Sequence, residues 1–410
     1  MLPAEHQLEI LCRGTVDLHV RAELLERLGS GKALRVKAGF DPTRPDLHLG
    51  HTVLMEKMRQ FQELGHHVVF IVGDFTAMVG DPTGRNESRP RLTREEVQQA
   101  AETYQAQAFK VLDRHLTEFR YNSEWLEKLG TGGVIELCAR YTVARMLERD
   151  DFHKRFFDEQ RPIFIHEFLY PLLQAYDSVA IECDIELGGT DQLFNLLVGR
   201  DVMGRYDKRP QLVMTTPILE GTDARVVDGK VVGPKMSKSA NNYVGIDEPP
   251  FETLQKLMLI DDGVLWRYME LLSARSGEEI AALREAAQRG DRSNLEVKEL
   301  FAEEVVTRFH GAEAARAAIE RRRSVAAGNL PESIEELRIE SERDEILIGK
   351  ALSLAGLAKS TSEAGRLVKG GAVHVDGEVV KDEQHKLRKG ARHLIRVGSK
   401  NRRFAYLVVS

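Results

Sequence analysis

Two histidines placed three positions apart have the residue types and the spacing to bind an anion. His48 and His51 lie in the stretch PDLHLGH, at the start of a helix predicted over residues 51–64. The first turn of a helix presents unpaired backbone N–H groups and a partial positive charge, so both imidazoles would face a point where negative charge is stabilised. Gly50 has no side chain and would let a flat nucleotide base approach the backbone closely. The stretch therefore predicts a phosphate pocket.

Two lysines form a second candidate group in PKMSKS, residues 234–239. Lys235 and Lys238 stand beside small hydroxyl residues in a stretch without apolar periodicity, which predicts a mobile cationic loop. Ammonium groups in such a loop would stabilise charge on a pentacovalent phosphorus, at roughly 1.5–3 kcal/mol for each charge-assisted hydrogen bond. Each group alone also fits an ordinary surface feature, but the two together in one α/β chain are far more specific.

The two stretches resemble the HIGH and KMSKS signatures of the class I aminoacyl-tRNA synthetases. Within that class the chain is similar to the bacterial tyrosyl-tRNA synthetase family, because it also contains GDPTGR at 80–85, YPLLQAYD at 170–177 and GGTDQ at 188–192. The resemblance extends over nearly the whole chain. It implies a ligase that activates L-tyrosine with ATP and Mg²⁺, without a tightly bound protein metal site, and then transfers the tyrosyl group to the 3′-terminal adenosine of tRNA(Tyr).

The resemblance also implies roles for individual residues, carried over by position in the matching stretches. His48, His51, Lys235 and Lys238 would act on the phosphates during catalysis. The positions that match ATP-binding residues are Gly39, Asp41, Thr43, Gly50, Arg85, Gly189 and Asp191, with Arg89 as a further basic position. The positions that match binders of the tyrosine ammonium group are Asp81, Tyr170, Gln174 and Gln192, and Asp177 matches the residue that meets the phenol hydroxyl.

One position departs from the family pattern. The best-known branch carries a tyrosine on its first strand that donates to the substrate phenol, and this chain has Lys37 there. A lysine at this position would turn away, pair with an acid or meet the phenol directly. The sequence leaves these three alternatives open.

The order of elements predicts the fold that holds these residues. Short strands are predicted at 34–39, 67–73, 179–187 and 211–215, and they alternate with the helical patterns at 51–64, 93–112 and 190–204. Such alternation favours a Rossmann-like α/β domain, with a parallel sheet covered by helices on both faces. Ligands in such sheets bind outside the carboxyl ends of the strands.

Four segments are predicted along the chain. The Rossmann-like catalytic domain would span 1–249, an α-helical anticodon-binding domain 250–326, a linker 327–343, and a small α+β domain that resembles S4-type RNA-binding domains 344–410. By resemblance we also expect a homodimer, with residues near 125–165 at its interface. We expect no membrane partner.

The net charge of −6 hides an uneven distribution. Residues 345–410 contain 13 Lys and Arg against 6 Asp and Glu, a net +7, which leaves −13 for residues 1–344. A basic tail on an acidic body explains how the chain would hold a polyanion. The basic tail residues offered for phosphate contacts are Arg366, Lys369, Lys386, Arg388, Lys389, Arg392, Arg402 and Arg403.

Composition sets the remaining limits. A chain of 410 residues with 42% apolar residues exceeds one usual domain. No apolar run approaches the ~20 residues of a membrane-spanning helix, and the start, MLPAEHQLEIL, lacks the features of a signal peptide, so we expect a cytoplasmic protein. The three cysteines, Cys12, Cys138 and Cys183, lie far apart and are interpreted as packing residues.

Three other interpretations stay open from the sequence. A tryptophanyl or other class I synthetase would share both signatures. A small nucleotidyltransferase would share the HxGH stretch, but the KMSKS loop and the S4-like tail count against it. A catalytically silent RNA-binding relative would tolerate loss of the histidines or loop lysines, and all four are intact here.

Overall fold

The structure is a computed structural model that describes residues 2–42, 46–82, 93–326, 334–341, 344–398 and 403–410. Thr43, Arg85, Arg89 and Arg402 of the predicted sites lie outside the described residues. The chain forms two compact units, Met1–Gly311 and Ala312–Ser410. In the described ranges, no helix is both long enough and apolar enough to cross a membrane.

The first unit is built on a six-stranded sheet. Its strands are β1 Leu18–His19, β2 Arg35–Phe40, β3 His67–Val72, β4 Thr117–Tyr121, β5 Ile185–Gly189 and β6 Leu212–Thr216. Their order across the sheet is β1-β6-β5-β2-β3-β4. Strands β2 to β6 are parallel and β1 runs antiparallel to β6, so the predicted Rossmann-like parallel sheet is confirmed.

Fourteen described α-helices, a π-helix at Lys154–Asp158 and a 3₁₀ helix at Thr190–Gln192 accompany this sheet in the first unit. The α-helices are α1 Ala4–Cys12, α2 Arg21–Gly29, α3 Leu49–Glu63, α4 Asp74–Val79, α5 Arg94–Ala108, α6 Ser123–Ala139, α7 Val143–Met146, α8 Asp150–His153, α9 Ile165–Ile181, α10 Leu193–Arg205, α11 Pro250–Leu259, α12 Asp262–Leu272, α13 Gly277–Arg289 and α14 Asn294–His310. A short hairpin, β7 Arg225–Val227 with β8 Lys230–Val232, precedes the KMSKS stretch.

The strand order reverses at β2, and this reversal fixes where a ligand can bind. The chain proceeds from β2 to β3 and β4 on one side of the sheet, whereas β5 and β6 lie on the other side. Connections on the two sides leave β2 and β5 in opposite directions, so a crevice opens outside their carboxyl ends. Residues at the ends of β2 and β5 therefore frame the candidate site.

The start of one predicted strand was wrong. The strand predicted at 179–187 begins only at Ile185, because Val179 and Ile181 continue the buried apolar face of α9. Helix α9 stops at Glu182, which adopts the left-handed conformation with φ 50°. A short apolar run does not distinguish a buried helix end from a strand.

Strand β4 was missed by the sequence analysis. Its residues TEFRY are all of intermediate burial, because β4 lies at the edge of the sheet, and three of the five are charged or polar. An edge strand of this composition lacks the apolar run that identifies β3. The omission matters because residues directly after β4 reach the site.

The second unit contains α15 Ala312–Ala326 and a small α+β arrangement. Its other elements are β9 Glu335–Ile339, β10 Glu345–Leu347, α16 Ile348–Leu354, α17 Thr361–Lys369, β11 Val373–Val375, β12 Glu378–Val380, β13 Lys386–Arg388, β14 Arg392–Val397 and β15 Arg403–Val409. Five strands form a sheet in the order β12-β11-β14-β15-β9, and β10 pairs with β13. The predicted DG turn joins β11 to β12, with positive φ at both Asp376 and Gly377, as this tight hairpin turn requires.

The structure differs from the expected segments in one stretch. Strand β9 falls inside the segment 327–343 that was expected to be a linker, and it pairs in parallel with β15. Buried Ile339 packs into the apolar core of this unit, which explains the pairing. Helices α11 to α14 belong to the same compact unit as the large sheet, and α15 belongs to the second unit. The four-part division stays a prediction.

Candidate active site

A cavity of about 710 Å³ lies outside the carboxyl ends of β2 and β5. It brings together every described residue predicted for catalysis, ATP binding or tyrosine binding. These residues are Gly39, Asp41, His48, Gly50, His51, Asp81, Tyr170, Gln174, Asp177, Gly189, Asp191, Gln192, Lys235 and Lys238. The roles given to them stay predictions, but their convergence from distant parts of the chain is a structural fact.

The two histidines cap the helix that follows them. His48 is the N-cap of α3, and its Nδ1 accepts a hydrogen bond from the Gly50 N–H at 3.1 Å. The His48 N–H in turn donates to Nδ1 of His51 at 3.2 Å, and the ring centroids are 3.9 Å apart. This reciprocal capping satisfies two backbone donors and holds both rings at the start of the helix.

Both rings are neutral, and their tautomers follow from the capping. Burial, then His51 and Lys238, lower the pKa of His48 to about 2. Burial, then Lys235 and Lys238, lower the pKa of His51 to about 3. Because each Nδ1 accepts a backbone N–H, the ring proton is assigned to Nε2. Each imidazole therefore offers an uncharged Nε2–H donor to an anion.

Gly50 has a structural role that the sequence analysis did not anticipate. A Cβ atom at this position would lie 2.9 Å from Cε1 and 3.0 Å from Nδ1 of His48. The missing side chain thus makes room for the imidazole over the first turn of α3. Gly39, by contrast, would meet nothing within 4 Å, so open space adjoins the backbone at the end of β2.

Both loop lysines line the cavity and contact residues from other stretches of the chain. Lys235 Nζ donates to Asp191 at 2.7 Å, and Lys238 Nζ donates to the main-chain oxygen of Asp46 at 2.5 Å. Asp191 belongs to the GGTDQ stretch and Asp46 to PDLHLGH. Asp191 therefore holds one ammonium group, and the main-chain oxygen of Asp46, with its carboxylate at 3.4 Å, holds the other.

The chain after the loop pairs directly with the HLGH stretch. The Leu49 N–H donates to the Val244 carbonyl at 2.9 Å, and the Ile246 N–H donates to the Leu47 carbonyl at 3.1 Å. His48 forms an isolated antiparallel bridge with Gly245. The HLGH stretch and the chain that leaves the PKMSKS loop, distant along the sequence, are therefore neighbours in this short ribbon.

Paired polar groups line the end of the cavity that is predicted to bind the amino acid. The Tyr170 hydroxyl donates to Asp41 Oδ2 at 2.9 Å, and the Thr76 hydroxyl donates to the other Asp41 oxygen at 2.7 Å. Gln192 Nε2 donates to Asp81 Oδ2 at 2.9 Å. A Cβ atom at Gly73 would lie 2.0 Å from Asp41 Oδ1, so a glycine is needed for this close approach.

Asp177 lies in the interior and not on a helix end at the surface. It is 4% exposed in α9, accepts a hydrogen bond from the Trp125 indole at 2.8 Å and accepts another from Asn122 Nδ2 at 3.3 Å. Burial raises the pKa of Asp177 to about 6, although Lys37 and the Trp125 indole oppose the shift. A buried carboxylate that lines the cavity is an acceptor for a hydroxyl or an N–H of a ligand.

Lys37 pairs with an acid, which resolves the three alternatives left open by the sequence. Its Nζ lies 3.0 Å from Glu186 Oε1 and donates to the Gln174 carbonyl at 3.2 Å. Burial alone would lower the pKa of Lys37, but the carboxylates of Glu186 and Asp177 raise it. Lys37 is not among the residues that line the cavity.

Several residues that support the cavity were not predicted from the sequence. Asn122 follows the unpredicted strand β4 directly, and it is fully buried against Asp177. Glu186 and Asn195 contact Gln174 but lie outside the recognised stretches. A polar residue directly after a strand signals a site in α/β folds, so a correct prediction of β4 would have indicated Asn122.

The predicted RNA-binding residues lie on the surface of the second unit. Arg366 and Lys369 lie in the last turn of α17, and Lys386 and Arg388 lie on β13. All four are exposed. Lys369 pairs with Glu383 at 2.9 Å and Lys386 pairs with Glu345 at 3.1 Å, so these two ammonium groups have acidic partners on the same surface.

The fold and site define a class of protein, and comparison with known families agrees. Residues 30–325 match the family described as tRNA synthetases class I (W and Y), and residues 350–393 match the S4 domain family. The chain belongs to the class I aminoacyl-tRNA synthetases of the tryptophanyl and tyrosyl group, so it is an enzyme whose class uses ATP. The S4 match includes α16, α17 and the hairpin of β11 and β12.

The particular family within this class is that of the tyrosine–tRNA ligases. A tyrosine–tRNA ligase of Thiobacillus denitrificans is 52% identical over 406 residues, which cover 99% of this chain and 100% of that protein. The tyrosine–tRNA ligase of Coxiella burnetii is 50% identical over 413 residues, and this alignment covers 100% of both chains. The chain is also similar to the crystal structure of an Archaeoglobus fulgidus tyrosyl-tRNA synthetase complexed with L-tyrosine, with a TM-score of 0.61 and 21% sequence identity. The superposition covers 77% of this chain and 99% of that chain, and it supports the fold.

Proposed function

We propose that this chain activates L-tyrosine with MgATP to tyrosyl-adenylate and pyrophosphate, and transfers the tyrosyl group to the 3′-terminal adenosine of tRNA(Tyr). One observation carries the proposal. The buried carboxylate of Asp177 lines the same cavity as residues of the HLGH and KMSKS stretches. The Mg²⁺ ion enters with ATP as part of the substrate. We place the reaction in the cytoplasm, where translation consumes charged tRNA.

The phosphate end stabilises the departing charge. The tyrosine carboxylate attacks the α-phosphorus in line and pyrophosphate leaves, with no covalent bond to the enzyme. His48 and His51 donate through neutral Nε2–H groups, and Lys235 and Lys238 supply positive charge. Catalysis then rests on position and electrostatics, as in other phosphoryl transfers.

The amino-acid end selects the side chain. The Asp177 carboxylate would accept a hydrogen bond from the phenol hydroxyl while Trp125 and Asn122 hold it in place. Phenylalanine has no hydroxyl, so it would leave the buried Asp177 carboxylate without a hydrogen-bond donor from the ligand. A site built to bind a hydroxyl rejects the analogue that lacks it, and tyrosyl-tRNA synthetases are themselves the known example of this discrimination.

The decisive experiment is amino-acid-dependent exchange of pyrophosphate into ATP with each of the twenty amino acids. Tyrosine should be the preferred substrate, and phenylalanine should support exchange poorly at equal concentration. Preference for tryptophan would assign the chain to the tryptophanyl branch. Absence of exchange with every amino acid would point to a catalytically silent relative.

The second unit is proposed to bind the RNA substrate. Its exposed Arg366 and Arg388, together with Lys369 and Lys386, offer phosphate contacts. Removal of the chain after Ala326, which removes β9 together with the strand that it pairs with, should leave pyrophosphate exchange intact and weaken aminoacylation. Equal damage to both reactions would show that the tail supports the catalytic fold instead.

We also propose that a second copy of the chain covers an apolar surface near residues 125–165. The large apolar side chains exposed there are Ile135, Val143, Phe156, Phe157, Phe164 and Ile165. Ile165 is 74% exposed, although it opens helix α9, most of whose residues are buried. Exposed apolar patches of this kind mark protein interfaces, and sedimentation equilibrium of the whole chain should give a dimer.

A further inference from the structure

A buried pair of opposite charges adjoins the amino-acid end of the cavity. Lys37 of β2 and Glu186 of β5 are partners in the sheet register, and Nζ lies 3.0 Å from Oε1. Each side chain is only 1% exposed, and neither lines the cavity. The pair is therefore placed to act on a substrate only through other residues.

Both members of the pair hold the same glutamine. Lys37 Nζ donates to the Gln174 main-chain oxygen at 3.2 Å, and Glu186 Oε1 accepts from Gln174 Nε2 at 3.0 Å. The other Glu186 oxygen accepts from Ser178 and Gln211. Removal of either charge would leave the other buried without its partner, which is costly in a protein interior.

These contacts fix the orientation of the Gln174 carboxamide. Its amide nitrogen must face Glu186, because a carboxylate only accepts hydrogen bonds. Its oxygen accepts from Asn195 Nδ2 at 3.1 Å and keeps a second lone pair. Gln174 lines the cavity, so this oxygen is an acceptor available for a cationic group of the substrate.

We propose that Lys37 and Glu186 are positioning residues, which hold the Gln174 carboxamide oxygen ready for the α-ammonium group of tyrosine. The proposal rests on the function proposed above and deepens it. In this chain the lysine does not replace the phenol-binding tyrosine of the best-known branch. It serves the opposite end of the amino acid, and the phenol is left to Asp177.

The test compares tyrosine with an analogue that lacks only the amino group, 3-(4-hydroxyphenyl)propanoate. In K37M the dissociation constant of tyrosine without ATP, measured by equilibrium dialysis, should rise about tenfold or more, as expected when a hydrogen bond to a charged group is lost. The inhibition constant of the analogue in pyrophosphate exchange should stay within about twofold of the unmodified protein when both are measured at about pH 8.5, because Asp177 then stays ionised even without the charge of Lys37, which lowers its pKa. The KM for ATP should also stay within about twofold.

Two further variants distinguish the positioning role from misfolding and from a general loss of stability. The double variant K37M/E186M buries no unpaired charge, so it should fold even if K37M does not, and it should still bind tyrosine weakly because Gln174 loses its anchor. The variant R27M removes a cation that is 2% exposed and pairs with Asp184 at 3.2 Å, directly before β5 and away from the cavity. It should lower thermal stability without changing tyrosine affinity.

The outcomes separate this proposal from the proposed function. Equal loss of affinity for tyrosine and for the analogue, or unchanged tyrosine affinity in the folded double variant, would overturn the positioning role. The unmodified protein would still exchange pyrophosphate with tyrosine in both cases. If the unmodified protein fails in that exchange, the proposed function itself is wrong.

Discussion

The two ends of the cavity, which are the proposed phosphate end and the proposed amino-acid end, are built in different ways. At the phosphate end, side chains from two short stretches meet, and His48 and His51 are oriented by the backbone of their own helix. At the amino-acid end, Gln174 and Asp177 from one helix are held by residues of other elements, such as Glu186 and Asn122. Local backbone geometry therefore orients the side chains at the first end. A buried hydrogen-bond network between distant parts of the fold orients those at the second.

This difference decides what a sequence can reveal. The phosphate end is encoded in contiguous stretches, so the residue types and spacing of HLGH and KMSKS are enough to identify its members. The network partners Asn122, Glu186 and Asn195 are single residues outside any recognised stretch. Their importance comes from burial and from contacts that only the fold creates.

The largest expected effect concerns the phosphate end. K238A should lower the rate of tyrosyl-adenylate formation by about 10²-fold or more, as loss of a donor to transition-state charge does. Tyrosine affinity measured without ATP should barely change. The matched control is K230A, which removes an exposed lysine from the nearby strand β8. A large loss of tyrosine binding in K238A would contradict the separation of the two ends.

The second effect concerns the phenol. D177N keeps the size of the side chain and removes its charge, so the KM for tyrosine should rise about 10- to 100-fold, the range for a lost charge-assisted hydrogen bond. The KM for ATP should stay nearly constant. Steady-state exchange with each substrate varied in turn measures both constants. A parallel rise in both would show that Asp177 serves the fold and not the ligand.

The third effect tests the packing of the imidazole pair. G50A places a methyl group 2.9 Å from Cε1 of His48 and should displace that ring. Adenylate formation should slow by about tenfold, as small displacements of catalytic groups do. Thermal stability should stay nearly constant, because alanine favours a helix more than glycine does. An unchanged rate would mean that the ring has room to move without loss of function.

The smallest expected effect is a difference between the pH dependence of the KM for tyrosine and that of the KM for ATP. Tyrosine binding needs ionised Asp177, whose pKa is raised to about 6 by burial, while the charges of Lys37 and Glu186 act on it in opposite directions. The KM for tyrosine should therefore rise as the pH falls from 7 to 5, by up to about tenfold. The histidines have a pKa of about 2 and about 3 and stay neutral throughout, so the KM for ATP should not follow this curve.

The fold itself was largely predictable. Strand β3 is apolar and buried on both faces after its first residue, so its composition identifies it. Strand β2 contains Arg35 and Lys37 but is buried at four of its six residues. Edge strand β4 and the pairing of β9 with β15 were not predictable in this way, because their residues mix charged and apolar types and pair only in the finished sheet. Lys37 departs from the family pattern in the sequence itself, but its acid partner follows only from the register of β2 with β5.

The loop that carries Lys238 is fixed at both of its ends. The Met236 N–H donates to the Leu219 carbonyl at 2.9 Å, and the Val244 carbonyl accepts from the Leu49 N–H at 2.9 Å. The chain between these anchors spans at most about 3.3–3.6 Å for each residue. The distance that the ammonium group can travel during a reaction cycle is therefore set by loop length. Inserting one glycine between the anchors would extend that travel without touching a single charged group.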